Sequence, residues 1–189
     1  MKKADKYLQM VRINKAVPFI KNGDDVLDIG CGDGPLFKQL RKLGMTFTGI
    51  GYDPEIREEL KDANYQLIRD KFPDSSIKGR RFNIITALAV LEHIPESQLG
   101  QFIRECNIHL KEGGLAIITV PSPLVDRILK ILMGMRVLDG MEVDQHHGYD
   151  TNLTIPLFQQ NGFALVKYKK FQLGLNNLFV FRKTIDKNA

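Results

Sequence analysis

A chain of 189 residues with 43% apolar and 26% charged residues can bury one core, and its composition excludes disordered, collagen-like and low-complexity proteins. The formal charge of +5 is spread along the chain, with small clusters at Lys78, Arg80, Arg81 and at Lys167, Lys169, Lys170, which argues against a nucleic-acid-binding surface. Cys31 and Cys106 match no disulfide or metal-ligand spacing, and Lys2 and Lys3 lead into no apolar leader, so a single cytoplasmic domain over 1–189 is expected.

Residues 1–22 carry Tyr7, Leu8, Val11, Ile13, Val17 and Ile20, which predicts an amphipathic N-terminal helix packed on the domain. From about residue 25 to residue 120, apolar and polar segments alternate as strand and helix, the pattern of a parallel sheet covered on both faces. A strand is expected over 25–29. Pro35 then suits a first helical turn, Leu36, Leu40 and Leu43 share one face, and Gly44 is the stop. Strands follow over 47–52 and 65–69, each ending on an acid, Asp53 and Asp70, and further strands over 82–87 and 115–120. Between the last two, Leu99, Phe102, Ile103, Cys106 and Leu110 form a helical stripe closed by Gly113 and Gly114, with His109 on the polar side. A helix over 154–161 ends at Gly162, and strands over 163–171 and 176–182 turn around Gly174 as a hairpin.

The stretch Val26-Leu27-Asp28-Ile29-Gly30-Cys31-Gly32-Asp33-Gly34 sits between the first strand and the first helix of this series. A glycine turn there lets the backbone approach a ligand at the carboxyl edge of the sheet. Its G-x-G-x-G spacing departs from the G-x-G-x-x-G of dinucleotide sites, and Pro35 fills the sixth position. The stretch resembles the first motif of class I S-adenosylmethionine-dependent methyltransferases. The resemblance implies an α/β, Rossmann-like, doubly wound and mostly parallel seven-stranded sheet with an antiparallel C-terminal hairpin strand. It implies S-adenosyl-L-methionine as cofactor, with S-adenosyl-L-homocysteine as product. It also implies backbone contacts from Gly30, Cys31 and Gly32 along the methionine end, Gly34 within the same turn, and Asp28 near the ammonium group. Asp53, 19 residues beyond Gly34 and followed by Pro54, matches the acid that holds the ribose hydroxyls, and a carboxylate accepts from both at once. Asp70 matches the acid facing the adenine amino group, with Lys71 and Phe72 bordering the base, and Ala87 the residue whose carbonyl meets the ammonium. Leu110-Lys111-Glu112-Gly113-Gly114 resembles the family's turn before the fifth strand.

Methyl transfer from a sulfonium is an in-line displacement, so the protein mainly positions and desolvates, and a hydroxyl or amine acceptor also needs a base near neutrality. Histidine suits that role. Leu91-Glu92-His93 resembles the Leu-Glu-His of ubiquinone-type and many small-molecule O-methyltransferases, where His93 is either the base or part of a helix cap. Some relatives add an acid one turn earlier and bind a divalent metal; Ala89 stands there, and no metal is expected. Asp144-Gln145-His146-His147-Gly148-Tyr149 is a second polar cluster, which makes His146, His147 and Tyr149 acceptor-side candidates. Residues 122–148 are expected to cover the acceptor side; within them 124–136 is strongly apolar with Arg127, Lys130 and Arg136, which suits a pocket cover or contact with a membrane surface.

The expected acceptor is a small or carrier-attached molecule methylated on oxygen. Nucleic-acid or protein methylation is the alternative, and Thr86-Ala87-Leu88-Ala89 replaces the Asn/Asp-Pro-Pro-Tyr/Phe expected of enzymes acting on exocyclic amines of DNA. The glycine spacing disfavours a nicotinamide oxidoreductase. Glu92 and His93 argue against a non-catalytic cofactor-binding module.

Overall fold

The computed structural model describes residues 3–122 and 149–184. Helix α1 (Lys3–Ala16) precedes β1 (Asp24–Ile29), α2 (Pro35–Lys42), β2 (Phe47–Tyr52), β3 (Leu60–Lys61), β4 (Tyr65–Ile68) and β5 (Phe82–Leu88). Then come α3 (Glu96–His109), β6 (Leu110–Pro121), α4 (Thr154–Gln160), β7 (Phe163–Phe171) and β8 (Asn176–Lys183). The strands form one eight-stranded sheet in the order β3-β4-β2-β1-β5-β6-β8-β7. β4, β2, β1, β5 and β6 run parallel; β3, β8 and β7 join antiparallel. The eighth strand beyond the expected seven is β3, whose two residues are too few to leave a periodic pattern.

Because β2 follows β1 on one side and β5 flanks it on the other, the strand order reverses at β1, and the crevice at its carboxyl end is where open α/β sheets bind ligands. The register brings Asp28 opposite both Gly51 and Thr86. The chain therefore delivers the glycine turn, the end of β2 and the end of β5 to one edge.

Apolar side chains fill both faces. On one, Ile13 of α1 and Phe37 and Leu40 of α2 pack over Val26, Tyr65 and Ile84. On the other, Ile103 of α3 and Phe158 of α4 cover Leu27, Ile85, Ile118 and Phe181. The rings of Phe158 and Phe181 stack 4.2 Å apart. Phe37 stacks on Tyr65 and lies where a Cβ at Gly49 would stand, so β2 needs glycine there.

Besides α3 ending at His109, so that Leu110, Gly113 and Gly114 fall within β6, three local expectations change. The N-terminal helix stops at Ala16 and continues as one 3-10 turn over Val17–Phe19, because Pro18 lacks the N–H of a further helical turn and biases Val17 away from it. The buried stripe of α2 is Leu36, Phe37 and Leu40; Leu43 falls past the helix end and is 53% exposed. His109 is not solvated on a polar face. It is 6% exposed, its Nδ1 lies 3.0 Å from the Arg80 carbonyl oxygen, and its ring meets Phe72 edge-on. Its spacing of three from Cys106 and seven from Phe102 puts it on the buried stripe. No helix among the described residues is long and apolar enough to cross a membrane.

Candidate active site

The glycine turn is pinned to the end of β2. Gly30 and Cys31 N–H both donate to the Tyr52 carbonyl, at 2.8 and 3.2 Å, and Gly32 N–H donates to Asp53 Oδ2 at 2.9 Å. Gly30 has φ +71°, and a Cβ there would stand 2.5 Å from Val90 Cγ2, so glycine is required by backbone and by space. Gly32 and Gly34 also have positive φ, and Gly34 leads directly into Pro35 at the start of α2. The Cys31 side chain is buried and its thiol pushed up by that burial; Sγ lies 3.3 Å from the Gly32 carbonyl oxygen, so it packs rather than reacts.

Asp53 holds two backbone amides, Gly32 on Oδ2 and Glu55 at 2.8 Å on Oδ1. A carboxylate has about four acceptor positions, so these two amides leave capacity for further donors. Pro54, the next residue, is exposed, as are Asp70 and Lys71 past the end of β4, with Asp70 Oδ1 accepting from Lys71 N–H at 2.7 Å. Phe72 is half-buried, and its ring meets Tyr52, Phe102 and His109 edge-on. Ala87 is fully buried within the sheet, and Leu88, one residue on, reaches the crevice.

A small open crevice of about 20 Å³ lies between α1 and the glycine turn, lined among others by Gln9, Arg12, Asp28, Gly30 and Leu88. Asp28 forms part of its wall at 4% exposure and accepts from Thr86 Oγ1 at 2.6 Å. Burial pushes its carboxyl up to about 7; the Thr86 bond opposes this and the Asp53 charge adds to it. Arg12 and Gln9 are the residues that sequence reasoning missed. The half-buried Arg12 guanidinium is lowered by desolvation, which the carboxylates of Glu92 and Asp5 oppose, and its Nε donates to Asn176 Oδ1 at 3.4 Å. α1 also carries Asp5, Lys6, Asn14 and Lys15, so its sequence does not mark Arg12 out from the other polar positions.

β5 leaves the sheet through Ala89, whose φ of +63° is a left-handed conformation that costs a non-glycine residue about 1 kcal/mol or more. Its N–H donates to the Thr119 carbonyl at 2.9 Å, fixing this exit next to the end of β6. A 3-10 turn over Leu91–His93 follows, with Glu92 buried and His93 exposed. Tyr149 is half-buried, its hydroxyl 2.8 Å from Thr154 Oγ1 and pushed up to about 12 by burial. His146, His147 and the stretches 122–148 and 124–136 lie outside the described residues, apart from Ser122. Among the described residues no group of three or more His, Cys, Asp or Glu side chains is arranged to hold a metal.

Residues 2–168 match the family described as Methyltransferase domain. The ubiquinone biosynthesis O-methyltransferase of Coxiella burnetii is 34% identical over 98 residues, covering 49% of this chain and 41% of that protein. The enzyme of the same name from Glaesserella parasuis is 30% identical over 139 residues, covering 68% and 58%. The chain thus spans about half the length of the curated relatives it matches. In fold it is similar to a SAM-dependent methyltransferase from Archaeoglobus fulgidus, with a TM-score of 0.70 at 15% identity over 94% of each chain. With the family matched along most of its length and the glycine turn, Asp28 and Asp53 gathered at one sheet edge, the chain belongs to the S-adenosylmethionine-dependent methyltransferases.

Proposed function

We propose that the protein methylates an oxygen atom of a small or carrier-attached acceptor. The observation that carries this reading is the cleft between α1 and the glycine turn, with the Arg12 guanidinium and the Asp28 carboxyl in its wall and Asp53 beyond the turn. A zwitterionic amino-acid end and a ribose fit this set: Arg12 offers N–H donors to a carboxylate, Asp28 an acceptor to an ammonium, and Asp53 its remaining acceptor capacity to vicinal hydroxyls. Leu88 and the backbone of Gly30 would line the chain between them. Bound there, S-adenosylmethionine supplies a sulfonium methyl group that passes to the acceptor oxygen while the S–C bonding pair returns to sulfur.

The remaining work falls to the acceptor side. His93, exposed just past β5 at the same edge, takes the hydroxyl proton as general base, with His146 and His147 as further acceptor-side groups. Tyr149 holds Thr154 at the start of α4 and serves as wall rather than base, since a phenol near pKa 12 is a poor proton carrier at neutral pH. Oxygen as acceptor atom is supported by the names of the Coxiella and Glaesserella relatives.

The test is to incubate the protein with methyl-labelled S-adenosylmethionine and a panel of phenols, catechols and carrier-linked hydroxy acids. Label recovered as a methyl ether, with one S-adenosylhomocysteine per turnover, is the expected outcome. Label on nitrogen, on nucleic acid or on protein would overturn the oxygen assignment, and binding of NAD in place of S-adenosylmethionine would overturn the whole reading.

A further inference from the structure

Thr86 stands between two acceptors. Its Oγ1 lies 2.6 Å from Asp28 Oδ1 and 3.3 Å from the Leu27 carbonyl oxygen, and a hydroxyl has one hydrogen to give. When Asp28 is charged, that hydrogen belongs on Oδ1. When Asp28 holds a proton, the carboxyl donates to the threonine oxygen and the threonine hydrogen turns to Leu27. Both protonation states are hydrogen-bonded, and the exchange moves no heavy atom.

We propose that this pair couples cofactor binding to proton release: Asp28 is protonated in the cofactor-free protein and loses its proton to solvent when the ammonium of the bound amino-acid end arrives, as the Thr86 hydrogen swings from Leu27 to the new carboxylate. Thr86 is thereby a positioning residue. The inference rests on the functional reading above, because it needs an ammonium-bearing ligand in the Arg12–Asp28 cleft. Charge balances, since the neutral carboxyl and the ammonium become an ion pair with one proton passed to buffer.

The surroundings favour the neutral carboxyl before binding. Burial pushes Asp28 up to about 7, and Asp53 at the end of β2 acts in the same direction. From β2, Gly51 faces it with no charge; from the glycine turn, the Cys31 thiol is held neutral by burial. From α2, Pro35 and Leu36 bring only apolar surface to the cleft. From α1, Gln9 is uncharged, and the Arg12 guanidinium is favoured by Glu92 and Asp5. Thr86 of β5 is the group that steadies the charged form.

Lowering the pH fills the proton site that the ligand must empty, so affinity falls with acid; between pH 5.5 and 7.5 it rises about twentyfold for a group titrating near neutrality. S-adenosylhomocysteine, which carries the same ammonium and is stable, is the probe for calorimetry with the full chain in buffers of different ionisation heat. We expect about 0.9 proton released per ligand at pH 6 and about half at pH 7, below the usual α-amino range. Asp28→Asn should bind weakly and release none. Thr86→Val, which removes the donor to the charged form, should raise the release at pH 7 towards one, and Thr86→Ser should restore the wild-type value.

Binding without proton release at pH 6, release that survives Asp28→Asn, or a Thr86→Val profile identical to wild type would each overturn the proposal. Carboxyl NMR of aspartate-labelled, ligand-free protein separates this from failure of the functional reading. If S-adenosylhomocysteine does not bind at all, the functional reading falls; if the Asp28 carboxyl is already charged throughout pH 5.5–7.5, the proton coupling falls by itself.

Discussion

The two walls of the cleft are built differently. The glycine-turn wall comes from one continuous stretch, β1 through the end of β2, tied by backbone hydrogen bonds such as Gly30 and Cys31 N–H to the Tyr52 carbonyl. The α1 wall comes from residues far apart in the chain: Arg12 leans on Asn176, 164 positions away, and is steadied by Glu92 from the turn after β5. The first wall is held by covalent proximity and rigid backbone. The second is held by side-chain hydrogen bonding and charge, and is the softer of the two. Substitutions in the first should therefore break binding outright, and those in the second should tune it.

The largest effect is expected in the rigid wall. Gly30→Ala combines a left-handed φ with a Cβ 2.5 Å from the stiff Val90 side chain, which strain and overpacking put at about 2–4 kcal/mol. Gly32→Ala meets only the Gln9 amide at 3.8 Å and should cost about 1 kcal/mol, the left-handed term alone. Urea midpoints and S-adenosylmethionine titrations of the two variants compare them directly. Equal losses would mean that crowding by Val90 has no part in shaping the turn.

Next comes the exposed His93. As general base it should be worth about 10²–10⁴ in kcat, with cofactor affinity unchanged, in His93→Ala. A pH–rate profile of the variant that keeps the wild-type acid limb would move the base to another group. Arg12→Gln tests the soft wall. Losing the cation while keeping length and some donors should raise the KM for S-adenosylmethionine roughly 10- to 100-fold and leave kcat within a few-fold, as expected for uniform binding energy. An unchanged KM would detach Arg12 from the cofactor.

The same contrast explains what could be read from the chain. The turn from Gly30 to Gly34, the helix start at Pro35, Asp53 at the end of β2 and the hairpin around Gly174 are short-range patterns whose backbone demands select residue types directly, and each lies where its pattern predicts. β5 runs one residue past the expected end, to Leu88, whose side chain reaches the cleft, because hydrophobicity alone does not fix where a strand stops. Arg12 was hidden for a deeper reason. Its partners Asn176 and Glu92 become neighbours only after the sheet forms, and a helix read by its apolar stripe gives no sign that one cation on it turns inward. His109 misleads in the same way, since its ring contact with Phe72 spans 37 residues of sequence.

The smallest effect is expected at Tyr149, and it separates wall from chemistry on the acceptor side. Thr154 is fully buried at the start of α4, and the Tyr149 hydroxyl is its recorded partner among the described side chains. Tyr149→Phe would leave that threonine oxygen without this contact in a dry site, which costs about 1–2 kcal/mol. The thermal midpoint should fall accordingly while kcat stays within about threefold, because general acid–base catalysis, worth 10²–10⁴, is not being removed. A hundredfold loss of kcat with no loss of stability would reverse the assignment, making the phenol a reacting group and leaving His93 as the scaffold of its turn.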